Sequence, residues 1–94
     1  MKTGGLSEKK NCDEIIEEIM APYKNRLEEI LNTSFKKFEI LYYKTQVVAG
    51  IFYYVKVEVD HDKCIHFKIF MDLHGNSKMK GFQWPMLSSD NINI

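Results

Sequence analysis

The chain has 94 residues, enough for one domain with a small core, and 45% of them are hydrophobic, which is typical of a protein that folds alone. Thirteen basic residues cancel thirteen acidic ones and neither sign forms a long block, so no partner among nucleic acids or anionic membranes is expected. Charged residues interrupt the first twenty positions and no later apolar run could span a bilayer, which predicts a cytoplasmic protein without a signal peptide and leaves nonclassical export open.

The N-terminal part of the chain predicts an arm followed by one helix. Residues 1–10 are polar, contain two glycines and show no periodicity, so they are expected to form a flexible arm. Asn11 and Glu14 have the capping-box spacing of a helix start, and Pro22 is expected to bend the helix without breaking it. The apolar residues at helical spacing are Ile15, Ile16, Ile19, Met20, Tyr23, Leu27, Ile30 and Leu31.

The rest of the chain predicts four strands in sequence. They cover residues 38–45, 51–59, 63–71 and, more weakly, 79–84. Alternate residues make one face of the second and third strands more apolar, and the helix is expected to cover that face. The predicted fold class is therefore α+β, with one helix across a four- to five-stranded antiparallel sheet in a single domain over residues 1–94. Residues 88–94 carry no packing signal and are expected to form a loose tail.

Two hairpin loops, residues 46–50 and 73–77, are expected at the same end of the sheet, because alternate turns of a meander lie on the same edge. The first loop has the sequence Gln46-Val47-Val48-Ala49-Gly50. Hairpin tips normally carry Gly, Asn, Asp or Pro, so two valines and an alanine at a tip indicate a surface that awaits a partner.

The hairpin tip and the N-terminus also carry a family resemblance. The sequence motif Q-V-V-A-G, with Tyr43-Lys44-Thr45 before it, resembles the inhibitory hairpin of the cystatins. The opening Gly4-Gly5-Leu6-Ser7 resembles that of their intracellular, disulfide-free branch, the stefins. The resemblance covers nearly the whole chain. It implies the cystatin fold, no enzymatic activity and no cofactor or metal.

The resemblance implies a function for three segments: the arm, the first hairpin tip and the second loop. In stefins these form a wedge that plugs the active-site cleft of papain-like cysteine proteases, here expected to be cathepsin L-, B- and H-like enzymes. Inhibition would be reversible, tight and competitive, and the chain would act as a monomer. The residues expected to contact the protease are Gly4, Gly5, Leu6, Gln46, Val47, Val48, Ala49, Gly50, Leu73, His74 and Gly75.

The second loop departs from the family pattern. Where stefins usually read Leu-Pro-Gly, this chain has Leu73-His74-Gly75, so the loop lacks a proline that would stiffen it. The imidazole of His74 is expected to make the contact pH-dependent, because histidine changes its charge near physiological pH.

Two alternatives to the inhibitor stay open on the sequence. The stretch Asp60-His61-Asp62-Lys63-Cys64-Ile65-His66 gathers carboxylates, imidazoles and a thiol, as a catalytic or metal site would, although no further ligand has a typical metal-site spacing. The second alternative is a non-inhibitory binding module of the same fold. Such a module could form a domain-swapped dimer by exchange of the first hairpin. The two cysteines, Cys12 and Cys64, are expected to be free thiols.

Overall fold

The computed structural model describes residues 5–94, and its elements follow the predicted order. The elements are α1 (Glu14–Met20), α2 (Tyr23–Leu31), β1 (Glu39–Val48), β2 (Gly50–Asp60), β3 (Lys63–Met71) and β4 (Ser77–Met86). Each strand pairs antiparallel with the next one, so the four strands form one open sheet in the order β1-β2-β3-β4. The prediction of an α+β fold, with a helix followed by an antiparallel meander, is confirmed.

The helix begins at Glu14, and its N-cap is Asp13 instead of the predicted Asn11. Asp13 has an extended backbone, and its carboxylate accepts a hydrogen bond from the Ile16 N–H at 2.9 Å. The same carboxylate accepts a hydrogen bond from the Tyr43 hydroxyl in β1 at 2.7 Å, which fixes the helix start to the sheet. The capping-box prediction was wrong: Asp13, a residue type that caps as well as asparagine, caps the helix through Ile16 and is also bonded to Tyr43.

Pro22 bends the helix without breaking it, as predicted. Ala21 and Pro22, which separate α1 from α2, both keep right-handed helical backbone angles, so the chain continues in one direction through the bend. The helix ends at Asn32, whose N–H still donates to the Glu29 carbonyl at 3.2 Å. Its left-handed conformation turns the chain so that the Thr33 N–H donates back to the Glu28 carbonyl at 3.0 Å.

The core lies between the bent helix and one face of the sheet. Ile16, Met20 and Leu27 are buried on the helix, and Tyr23 packs its ring against that of Phe67 at a centroid distance of 6.3 Å. The buried sheet residues in this cluster are Tyr43, Tyr53, Val55, Val57, Val59, Ile65, Phe67 and Ile69. These include the alternate residues of β2 and β3 that the sequence marked as the more apolar face.

Residues 88–94 lie against the opposite face of the sheet, although nothing in their sequence predicts packing. The ammonium group of Lys56 donates a hydrogen bond to the backbone carbonyl of Asp90, and the Gln83 amide donates to the carbonyl of Asn93 at 3.2 Å. Lys56 and His66, which point to this face, are fully buried. The tail therefore covers polar side chains that the sheet alone would leave in solvent.

The candidate catalytic cluster is not assembled into a site. Cys64 and His66 are buried, whereas His61 is exposed in the β2–β3 turn. Asp60 accepts a hydrogen bond from the His61 N–H at 2.7 Å, and Asp62 accepts one from the Ser88 N–H at 2.9 Å, so the carboxylates shape the turn and hold the tail. Across residues 5–94, no group of three or more His, Cys, Asp and Glu side chains could hold a metal ion.

Cys12 is exposed, Cys64 is buried, and both are free thiols, as predicted. No helix in the described part of the chain is long and apolar enough to cross a membrane.

Candidate functional site

The two hairpin loops lie at the same end of the sheet, as the meander predicts. Ile51, next to the first turn, pairs with Met71 at the end of β3, and Met71 pairs in turn with Ser77 at the start of β4. The N-terminal segment reaches the same end, because Leu6 forms an antiparallel bridge with Gln46 of β1. We call this end the binding edge, and its exposed residues are Gly5, Leu6, Val47, Val48, Ala49, Leu73, His74 and Gly75.

The first hairpin turns more tightly than the sequence predicts. Val48 of β1 pairs directly with Gly50 of β2, so Ala49 alone makes the turn, and the predicted loop over residues 46–50 is mostly strand. Val47 and Val48 remain 48% and 37% exposed at the tip. Their methyl groups are thus available to a partner and do not belong to the core of this chain.

Gly50, one of the predicted contact residues, is buried under the tip. Its φ of 125° lies in a region that L side chains rarely adopt. A Cβ added there would lie 2.6 Å from the carbonyl oxygen of Met71 and 2.7 Å from Cζ of Phe70. The first hairpin therefore rests on the end of β3, and only a glycine allows this close approach.

Gln46, a second predicted contact residue, is half-buried at the base of the hairpin. Its side-chain oxygen accepts a hydrogen bond from the hydroxyl of Tyr54 at 2.7 Å. Burial raises the pKa of the Tyr54 hydroxyl, which therefore stays protonated and remains a donor at physiological pH. Tyr54 was not identified from the sequence, and its alternation with the core residues of β2 was the available signal.

The N-terminal segment is hydrogen-bonded to β1 from Ser7 onward. The Ser7 N–H donates to the Thr45 carbonyl at 2.8 Å, and the Thr45 N–H donates to the Ser7 hydroxyl at 2.9 Å. Lys10 and Tyr43 exchange two backbone hydrogen bonds of 2.8 and 3.0 Å. Leu6, beside the tip, is 54% exposed. Gly4, also predicted to contact the protease, lies outside the described residues.

The second loop is held by Asp72, a residue that was not predicted from the sequence. One oxygen of its carboxylate accepts hydrogen bonds from the N–H groups of His74 and Asn76, at 2.8 and 3.0 Å. The backbone adds a bond from the Asp72 N–H to the Asn76 carbonyl at 2.9 Å and one from the Gly75 N–H to the Asp72 carbonyl at 3.1 Å. An Asp that opens a Gly-containing turn was the available signal.

These bonds set both the shape and the charge of the second loop. The hydrogen bond from the Asn76 N–H and, to a smaller extent, that from the His74 N–H hold the pKa of the Asp72 carboxyl below its ordinary value. This group is therefore ionised at neutral pH. Leu73 is 80% exposed and His74 is also exposed. The loop thus presents an apolar side chain and an imidazole from a braced backbone.

The apolar tip, the second loop and the N-terminal segment thus lie together at one end of a sheet that the helix covers. Residues 4–93 match the Cystatin domain family, which agrees with this arrangement. This chain belongs to the cystatin family. It is similar to Cystatin-A of Felis catus, with 52% identity over 78% of this chain and 74% of the relative. Human Cystatin-A is 43% identical over 98% of this chain and 97% of its own length.

A third relative carries a more descriptive name. Leukocyte cysteine proteinase inhibitor 1 of Sus scrofa is 37% identical over 98% of this chain and 92% of its own length. Members of the cystatin family are protease inhibitors and not enzymes. The prediction that this cystatin performs no reaction of its own is therefore confirmed by its family.

Proposed function

We propose that this cystatin is a tight-binding, reversible and competitive inhibitor of papain-like cysteine proteases and that the binding edge covers their active-site cleft. The observation that carries the proposal is the exposure of Val47 and Val48 at a tip that shares its end of the sheet with Leu6 and Leu73. The relative from Sus scrofa that is named as a cysteine proteinase inhibitor supports the same class of partner.

The affinity would come mainly from apolar burial on a preorganised surface. Each CH₂ group that leaves water contributes about 0.8 kcal/mol, and the two valines, Leu6 and Leu73 offer such groups at separate points of the edge. The tip turns at one residue and the second loop is braced, so little conformational entropy is lost when they dock. A standard interface of about 1,600 Å² or less is then enough for tight binding.

Inhibition would be by occlusion and not by chemistry. The tip and the second loop would straddle the catalytic cysteine of the protease, with Gly4 and Gly5 lying along the cleft beside them. Glycines suit this position because a backbone without Cβ atoms can lie close to the walls of a groove. No peptide bond of the inhibitor would be presented for attack, so the complex would dissociate into intact components.

The expected targets are cathepsin L-, B- and H-like enzymes, and the expected compartment is the cytoplasm. We expect the chain to act as a monomer, because the arm and both loops needed for binding come from one copy.

The test is a titration of papain, at a known concentration of active sites, with the purified chain. A linear loss of peptidase activity that ends at one inhibitor per active site is expected, together with an apparent inhibition constant that rises with substrate concentration. The recovered inhibitor should have an unchanged mass. Full peptidase activity at a large molar excess of the chain would contradict the proposal.

A further inference from the structure

The second loop of the binding edge has almost no packing to hold it. Leu73, His74, Gly75 and Asn76 are all exposed. A Cβ added at Gly75 would meet nothing within 4 Å, so no other part of the chain packs against the loop at this residue. Exposed segments with few buried contacts open at low free energy, so the shape of this loop depends on its hydrogen bonds.

Those hydrogen bonds converge on one residue. Asp72 takes part in four of them through three of its own groups: the carboxylate, the backbone N–H and the backbone carbonyl. The two bonds to the side chain end on the same oxygen, Oδ1, which ties the N–H groups of His74 and Asn76 to one point. A charged acceptor makes such bonds stronger than neutral ones.

Asp72 also sits where the loop joins the rigid part of the molecule. It directly follows Met71, whose carbonyl oxygen is so close to Gly50 that no side chain fits between them. Met71 pairs on both sides, with Ile51 and with Ser77. The carboxylate therefore fixes the exposed loop relative to the same strand end on which the first hairpin rests.

We propose that Asp72 is a positioning residue, which holds Leu73 and His74 in the arrangement that the protease binds and takes the place of the stiffening proline that this loop lacks. This inference rests on the proposed inhibitory function. Asp72 need not touch the protease, because its effect is transmitted through the backbone of the loop. Without its side chain the loop would sample several shapes, and binding would have to select one of them.

The proposal predicts different results for two substitutions at the same position. Asp72→Ala removes the acceptor, and we expect the inhibition constant for papain to rise about tenfold, mainly through faster dissociation. Asp72→Asn keeps an oxygen at Oδ1, which is the atom that both N–H groups use, so its inhibition constant should stay within about threefold of the wild type. Recovery by Asn separates the acceptor from the negative charge.

Asp60→Ala is a matched control at the other end of the sheet. Asp60 also uses its carboxylate to accept a turn N–H, that of His61, but it lies away from the binding edge. We expect this variant to inhibit papain as the wild type does. A second readout follows the loop itself: the amide signals of His74 and Asn76 should move together in a pH titration of the wild type, below the ordinary pKa of Asp, and should not do so in Asp72→Ala.

The possible outcomes separate this inference from the proposed function. If the wild type inhibits papain and Asp72→Ala inhibits it equally well, the positioning role is wrong while the inhibitory function stands. If Asp72→Asn is as weak as Asp72→Ala, the Oδ1 acceptor is not the reason for the effect, and the proposal is overturned. If the wild type leaves papain active, the proposed function fails and this inference falls with it.

Discussion

The two loops of the binding edge differ in how they are held. The first hairpin turns at Ala49 and is supported from below, where Gly50 packs against Met71 and Phe70. The second loop spans residues 72–76, of which the last four are exposed, and it is supported from within by the hydrogen bonds of Asp72. Close packing holds the first hairpin, and hydrogen bonds hold the second loop. Different substitutions should therefore disrupt the two loops.

The difference also indicates what each loop contributes. The first hairpin belongs to the rigid sheet and offers apolar area at a fixed place. The second loop adds Leu73 and His74 on a backbone whose shape depends on a few exposed hydrogen bonds. Exposed hydrogen bonds compete with water, so this loop is the one that solution conditions and single polar substitutions should affect more readily.

The largest expected effect comes from replacing Gly50 with alanine. The new Cβ would clash with the Met71 carbonyl and the Phe70 ring, and the φ of 125° would be strained with any side chain. Strain and overpacking together should cost about 3 kcal/mol or more of the free energy of unfolding. Urea unfolding followed by circular dichroism measures this loss.

Gly75→Ala is the matched variant for the second loop. Gly75 also has a positive φ, of 84°, but an added Cβ there meets nothing within 4 Å. Only the backbone strain remains, so we expect a loss of about 1 kcal/mol in the free energy of unfolding. Equal losses for the two variants would mean that the first hairpin does not rest on the end of β3.

A charge at the tip should affect binding more than folding. Val48→Asp places a carboxylate in what we propose is an apolar contact, and we expect it to weaken papain binding by about 2 to 4 kcal/mol. The unfolding free energy should change little, because this side chain is partly exposed. Leu87→Asp, another exposed apolar position but outside the binding edge, is the control and should inhibit normally. An unchanged inhibition constant for Val48→Asp would show that the tip does not dock.

Much of this arrangement could be predicted from the sequence, because periodicity and chain order determine it. Alternation in β2 and β3 identified the core face, and the meander rule placed both loops at one end. The remaining features depend on single contacts between distant residues. The bond from Tyr43 to the Asp13 N-cap joins residues 30 positions apart, and the burial of Gly50 depends on Met71 and Phe70 of β3. Local patterns carry no information on such pairs.

The N-terminal arm provides a test that separates binding from folding. Removing residues 1–5 leaves the hydrogen bonds of Ser7 and Lys10 to β1 in place, so the free energy of unfolding should not change. Papain binding should weaken by about 1 to 2 kcal/mol, because the contacts that we propose for the arm glycines would be lost. Removing residues 1–10 should lower both the free energy of unfolding and the affinity for papain. Equal inhibition constants for the full chain and the shorter truncation would refute a role of the arm.

The smallest expected effect concerns His66, which lies on the sheet face that residues 88–94 cover, away from the binding edge. Neither ring nitrogen of His66 has a hydrogen-bond partner among the described residues, and burial, together with the nearby Lys56 ammonium, lowers the pKa of this imidazole. The unfolded chain therefore binds a proton more readily, so the free energy of unfolding should fall as the pH drops below the ordinary pKa of histidine, about 6.5.

His66→Gln tests this prediction, with the exposed His61→Gln as its control. The groups that face His66 are Lys56 on β2, Gln83 on β4 and Asp90 in the tail. Burial lowers the pKa of the Lys56 ammonium, and Gln83 does not titrate. The drop in urea midpoint over that range should shrink in His66→Gln and persist in His61→Gln. If His66→Gln and the wild type inhibit papain equally at each pH in this range, the sheet face under residues 88–94 and the binding edge act independently.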